Sequence, residues 1–234
     1  MARPKITLYV DTVSPFAYMA YYIMRHEEVF KSCDVEYVPI FLGGLFQKCG
    51  NTAPLRIKNK AEWINTERMR WARHFSVPIT TGLPPDFPAP SLHIMRALCA
   101  VAASDDNDPQ QPRLTKALDA FYSQHWEHAV ATHKPEVLKE TLVGLFGEAE
   151  AEKILTESTT PQGKQALSTT TDRAFEAGAF GIPWFECTDG DGKTEGFFGV
   201  SSLGQVLDFL GLQVKGGAGG AGGGLGKSGW RALL

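Results

Sequence analysis

Tyr9-Val-Asp11-Thr-Val-Ser14-Pro15-Phe16-Ala17-Tyr18 is the stretch that decides the fold of this chain. Just before and into it, Lys5 to Val10 alternates, with Ile6, Leu8 and Val10 on one face, the period of a strand. Asp11-Thr-Val is turn chemistry. Ser14 suits a helix N-cap, because its side-chain oxygen can accept from an unpaired N–H of the first turn. Pro15 suits the first helical position, where a missing N–H costs nothing. Phe16, Met19, Ala20, Ile23, Met24 and Val29 then recur at helical spacing up to Phe30. Val35 to Leu42 is apolar and β-rich and predicts a second strand. The opening is therefore β-α-β, with a hydroxyl where a strand ends and a helix begins. Unpaired N–H groups and a partial positive charge favour an anion there.

Further along, residues 43–59 look loop-like, with Gly43, Gly44, Gly50, Asn51 and Pro54. From Lys60 to Ala177 the pattern is almost wholly helical, apart from the proline-rich break at Pro78 to Pro90. The predicted helices are Lys60–Phe75, Ser91–Ala103, Pro112–Glu127, Lys134–Leu145, Glu148–Thr156 and Pro161–Ala177, with Gly178 as a stop. The β signal then returns. Trp184 to Thr188 and Glu195 to Phe198 flank the hairpin turn Asp189-Gly-Asp-Gly192, and Ser201 to Leu210 is a last helix. A β-α-β unit, a helical stretch and an α-β-β-α unit make an α/β, thioredoxin-like domain with a large all-helical insertion in its middle. The expected division is 1–59 with 178–215 for the thioredoxin-like part, 60–177 for the insertion, and 216–234 as a glycine-rich flexible tail. Within that tail, Ala221 to Ser228 satisfies a loose phosphate-loop pattern. Neither a preceding strand nor a following helix aims its N–H groups, so no nucleotide is expected there.

The bulk of the sequence excludes several classes. A net charge of -3 over 234 residues gives no reason to expect nucleic acid as a partner. No apolar run reaches the roughly 18 residues of a membrane helix. The short apolar run at the N-terminus ends at Asp11, unlike a signal peptide. Cys33, Cys49, Cys99 and Cys187 are scattered and form no Cys-x-x-Cys, which fits a reducing, intracellular setting. His125 and His128 lie on one helix without a cysteine or carboxylate set to complete a site, so no metal is expected.

Two units carry chemistry. A redox enzyme of this architecture would hold a nucleophilic cysteine at the helix start and a second one three residues on. Ser14 and Ala17 occupy those slots here, so the chain cannot cycle a disulfide of its own at this place. A serine hydroxyl can still donate a hydrogen bond to the sulfur of a guest thiol; its plainer role is the N-cap alone. The second unit is Gly178-Ala-Phe-Gly181-Ile182-Pro183-Trp184. A Gly-x-Pro entry into a strand after a long helix is where such folds place a cis-proline. That would leave the backbone of Ile182 open to an extended peptide; an ordinary trans proline opening a strand is the alternative.

In order and content the pieces resemble the kappa-class glutathione transferases and their bacterial relatives, the 2-hydroxychromene-2-carboxylate isomerases. The matching pieces are Asp11-x-x-Ser14-Pro15-x-x-Tyr18, Leu42-Gly-Gly44, Gly50-Asn51-x-x-Pro54 and Lys60. Arg73-His74 ahead of Val77-Pro78, Gly178 through Pro183, and Phe198-Gly199 complete the set, over residues 5–212. The resemblance implies that Ser14 hydrogen-bonds the sulfur of glutathione, the co-substrate, and favours its thiolate. Asn51 and Lys60 would hold the tripeptide's polar parts, Ile182 would pair with its backbone beside Pro183, and Val200 and Ser201 would meet its γ-glutamyl end. The family usually has a Ser-Asp pair there; Val200-Ser201-Ser202 lacks the acid, which implies weaker glutathione binding. A small hydrophobic electrophile would be the other substrate, against a wall drawn from Trp63, Met69, Trp71 and Phe75. Conjugation or peroxide reduction is the implied activity, with a glutathione-dependent isomerase on the same scaffold and a non-catalytic binding protein as alternatives. A homodimer and a cytoplasmic location are implied as well, some relatives being organellar.

Overall fold

A computed structural model describes residues 2–214. Strands β1 (Lys5–Val10), β2 (Asp34–Pro39), β3 (Trp184–Thr188) and β4 (Thr194–Phe198) form a single sheet in the order β2-β1-β3-β4. β1 runs parallel to β2 and antiparallel to β3, and β3 and β4 form a hairpin. The parallel pair needs a crossover, which helix α1 (Pro15–His26) supplies. Seven helices separate β2 from β3: α2 (Leu42–Cys49), α3 (Lys60–Phe75), α4 (Leu92–Ala103), α5 (Pro112–Tyr122), α6 (Pro135–Phe146), α7 (Glu148–Thr159) and α8 (Pro161–Glu176). Helix α9 (Leu203–Phe209) follows β4. The result is a thioredoxin-like mixed sheet interrupted by a helical insertion.

β1 sits at the centre, and both of its faces are covered. Ile6, Leu8 and Val10 are buried in one apolar cluster with Met19 and Ile23 of α1 and with α4, α5 and α9. Tyr9 on the other face packs with Val38, Leu45 and Ala174 of β2, α2 and α8. Each fully buried Leu or Ile on such a strand contributes about 2 kcal/mol of transfer free energy. The tail expected from residue 216 onward lies outside the described residues.

Local expectations needed three corrections. Residues 42–49 are helical, where the glycines suggested a loop. The Phe41 ring folds back over this first turn; a Cβ at Gly43 would stand 2.8 Å from it, so glycine is there for close approach. The N–H of Leu42 finds its acceptor in Asp11, far away in sequence, which no local cap motif reveals. β2 stops at Pro39 rather than Leu42. Helix α5 ends at Tyr122, and Ser123–Glu127 forms a wider π turn instead of continuing it.

Candidate functional site

The register brings the two chemical units together. Tyr9, Trp184 and Phe198 stand abreast across β1, β3 and β4. The chain leaving β1 toward Ser14, the chain entering β3 through Pro183, and the chain leaving β4 toward Val200 therefore meet at one end of the sheet. The N–H of Gly199 donates to the carbonyl of Pro183 (2.9 Å), which ties the last two together. Ala17 in the first turn of α1 and Ile182 belong to one apolar cluster.

Ser14 is the N-cap of α1, in extended conformation (φ -92°, ψ 117°). Its Oγ accepts from the N–H of Ala17 at 3.2 Å. Accepting that bond leaves the hydroxyl proton free to be donated elsewhere. The side chain is buried (6% exposed), so a guest atom meets it in surroundings of low dielectric, where one such bond counts for more. The 12-residue helix behind it has no acidic residue in its first turn, so its N-terminal partial charge is not spent on an internal carboxylate.

The turn that carries Ser14 is anchored from below by Asp11. Asp11 is fully buried. Its Oδ1 accepts from the N–H of Val13 (3.1 Å), and its Oδ2 accepts from the N–H of Leu42 (2.9 Å) and from Ser91 Oγ (2.9 Å). One carboxyl thus joins the end of β1 to the starts of α2 and α4. Burial pushes its pKa up to about 6, against the lowering by those three donors. Trp126, in the π turn, donates its indole N–H to the carbonyl of Thr12 (2.9 Å). Tyr18 Oη reaches both the Pro78 carbonyl (2.9 Å) and Glu127 (2.8 Å). The insertion therefore grips the Ser14 turn from two sides. The acid in Asp-x-x-Ser was the only sequence signal; the partners are between 31 and 114 residues away.

The other expected residues fall as follows. The Ile182–Pro183 peptide is cis. The N–H and C=O of Ile182 make no backbone hydrogen bond among the described residues. Asn51 is exposed, and its Nδ2 donates to the carbonyl of Phe180 (2.7 Å), so it sits against the cis-proline loop. Its Oδ1 accepts from the N–H of Thr52. Val200 is buried, Ser201 is exposed, and the Ser202 hydroxyl is committed to the carbonyl of Phe198 (2.7 Å). Lys60 is exposed at the start of α3. Of the proposed wall, Phe75 is buried, and Trp71, which is partly buried, stacks on it. Trp63 is 55% exposed and Met69 partly buried. Among the described residues no group of three or more His, Cys, Asp and Glu is placed to hold a metal, and no helix is long and apolar enough to cross a membrane. His125 is buried, with Nδ1 near the Val130 carbonyl and Thr132 Oγ1.

A family model described as DSBA-like thioredoxin domain matches residues 5–211. The chain belongs to that family. Glutathione S-transferase kappa 2 of Caenorhabditis elegans is 27% identical over 221 residues, covering 92% of this chain and 95% of the relative. Human glutathione S-transferase kappa 1 is 25% identical over 218 residues, covering 90% and 92%. Among solved structures, a 2-hydroxychromene-2-carboxylate isomerase superposes with a TM-score of 0.69 at 18% identity, covering 88% of this chain and 94% of that one. The last is a likeness of fold. With Ser14 and Ala17 in it, the first turn of α1 holds no cysteine pair to carry out dithiol exchange.

Proposed function

We propose that this chain is a glutathione transferase of the kappa type, in which Ser14 holds the glutathione sulfur as a thiolate for attack on a small electrophile. The observation that carries this is the N-cap serine, whose O–H has no acceptor among the described residues, set beside a cis-proline whose preceding residue has no backbone partner among them. The kappa-type relatives, matched over most of both chains, point the same way.

A free thiol with pKa near 8.5 is only a few per cent ionised at neutral pH. Lowering that pKa by about two units makes thiolate the main species, at a differential stabilisation of about 2.7 kcal/mol. One hydroxyl donor in a buried setting, together with the partial charge at the end of α1, supplies a quantity of that size. The tripeptide lies extended along Ile182, with Asn51 and Lys60 toward its polar parts and Ser201 toward its γ-glutamyl end. The thiolate attacks the electrophilic carbon, a C–S bond forms, and the leaving group departs with the bonding pair. In this proposal residues 1–59 and 178–215 carry the thiol, 60–177 faces the electrophile with Trp63 and Met69 at the opening, and the protein works as a cytoplasmic homodimer.

The test is ultraviolet thiolate absorbance of bound glutathione against pH, in wild type and Ser14→Ala. The apparent pKa of the bound thiol should rise in the variant by the hydroxyl's share of that shift, about one unit. Identical titrations in the two proteins would remove Ser14 from the mechanism. Turnover of a halogenated nitroaromatic against a chromene carboxylate separates transfer from isomerisation.

A further inference from the structure

β2 is an edge strand, with β1 on one side only. Its outward groups follow from two bonds at its ends. The N–H of Asp34 donates to the Pro4 carbonyl (2.8 Å) and that of Ile40 to the Val10 carbonyl (2.9 Å). Even-numbered residues therefore turn their peptide groups toward β1, and Cys33, Val35, Tyr37 and Pro39 turn theirs away. An open row of this kind invites a strand from another molecule.

Side chains close the row almost completely. Arg3 Nη2 donates to the carbonyl of Cys33 (3.0 Å). Pro39 has no N–H, and its carbonyl accepts from Thr170 Oγ1 (2.6 Å). At Tyr37 the closure is double: the N–H donates to Gln111 Oε1 (2.8 Å), and Gln111 Nε2 donates back to the carbonyl (3.0 Å). The amide of one glutamine reproduces both ladder bonds of a neighbouring strand. Val35 is the outward rung whose peptide groups carry no partner among the described residues, and it lies in an open groove of about 1100 Å³ that Gln111 also lines.

Gln111 makes these bonds from an unfavourable conformation. Its backbone is left-handed (φ 47°, ψ 53°). A side chain disfavours that region, and the following Pro112 biases its neighbour toward extended backbone. No local preference selects glutamine there; the two bonds to Tyr37 do.

We propose that the Gln111 side chain is a plug that completes the β2 ladder in place of a further strand and keeps a second copy of this chain from pairing edge to edge through β2. With the plug gone, Val35 and Tyr37 of one copy can pair antiparallel with the same residues of another. Gln111→Gly is the decisive variant, because glycine accepts a positive φ without strain and removes the whole side chain, its amide included. Sedimentation should show wild-type mass unchanged with concentration, and the variant rising to twice that mass. Amide hydrogen exchange reads the contact itself. In wild type the Tyr37 amide is protected and that of Val35 exchanges fast at every concentration. In the concentrated variant the Val35 amide should slow by about tenfold or more. A variant that stays at the wild-type mass, or associates with the Val35 amide still fast, overturns the proposal. So does a wild-type protein whose Val35 amide is already protected, a measurement that needs no variant to fold.

Discussion

Asp11→Asn separates the cost of a buried charge from the worth of its hydrogen bonds. Asp11 is fully buried, and its pKa in the folded protein is pushed up to about 6 from an ordinary value of 3.8, with burial as the main cause. The folded state therefore holds a proton there that the unfolded chain has released, between about pH 4 and pH 6. Stability falls with rising pH wherever the unfolded state binds fewer protons, so wild type loses stability across this window. The size is about 2.2 pH units at 1.36 kcal/mol each, or about 3 kcal/mol. Asparagine has no such term. It does orphan one donor: whichever way the amide turns, its NH2 group faces the N–H of Val13 or of Leu42, and a buried unpaired N–H costs about 1–3 kcal/mol at any pH. The variant should thus be less stable than wild type at pH 4 and close to parity at pH 7. Urea unfolding followed by tryptophan fluorescence at both pH values measures the change in the difference, expected near 3 kcal/mol. A difference that stays constant from pH 4 to pH 7 would refute the account of Asp11 as a charge held against its environment.

Three further outcomes are expected. His125 is kept neutral by burial, its pKa lowered to about 4 from 6.5, so its contribution is complete above pH 6.5 and is lost as pH falls toward 4. His125→Gln should therefore gain on wild type by about 3 kcal/mol between pH 7 and pH 4 in the same unfolding assay, opposite in sign to Asp11→Asn. Arg68 is fully buried with no carboxylate partner among the described residues, and its guanidinium donates to Asn65 Oδ1 and to the carbonyls of Thr80, Thr81 and Gly82. Arg68→Lys cannot span that fan and should lose about 3 kcal/mol in thermal or urea unfolding; a loss within error would show that the carbonyls find other donors. Ser201→Asp places a carboxylate at the exposed end of the β4 exit and should tighten glutathione binding about tenfold in titration calorimetry, with equal or weaker binding counting against Ser201 as the γ-glutamyl contact.

Much of the molecule is legible along the chain because its cues are local. Strand β3 and helix α3 have the bounds that alternation and periodicity predict, Trp184–Thr188 and Lys60–Phe75. The N-cap at Ser14 and the proline after it announce α1. Helix α2 was missed because its determinants are remote or inverted. Its glycines serve a ring lying over them, and its first N–H is capped from β1. The π turn at Ser123–Glu127 was missed for a similar reason: the burial of Trp126 and its bond to Thr12 are tertiary facts.

By itself the sequence determined which atoms are available at the chemical centre. A hydroxyl stands at the first turn of α1, no cysteine accompanies it, and Val200-Ser201-Ser202, directly after Phe198-Gly199, holds no carboxylate. Side-chain identity is a one-dimensional fact, and it sets which reactions are open. Only the tertiary structure decided what holds that hydroxyl in place and what closes the sheet. Asp11 meets Ser91, Trp126 meets Thr12, and Gln111 meets Tyr37 across 74 residues or more. A hydrogen bond between distant residues leaves no periodic trace, because it depends on where the chain returns in space and not on its neighbours in sequence.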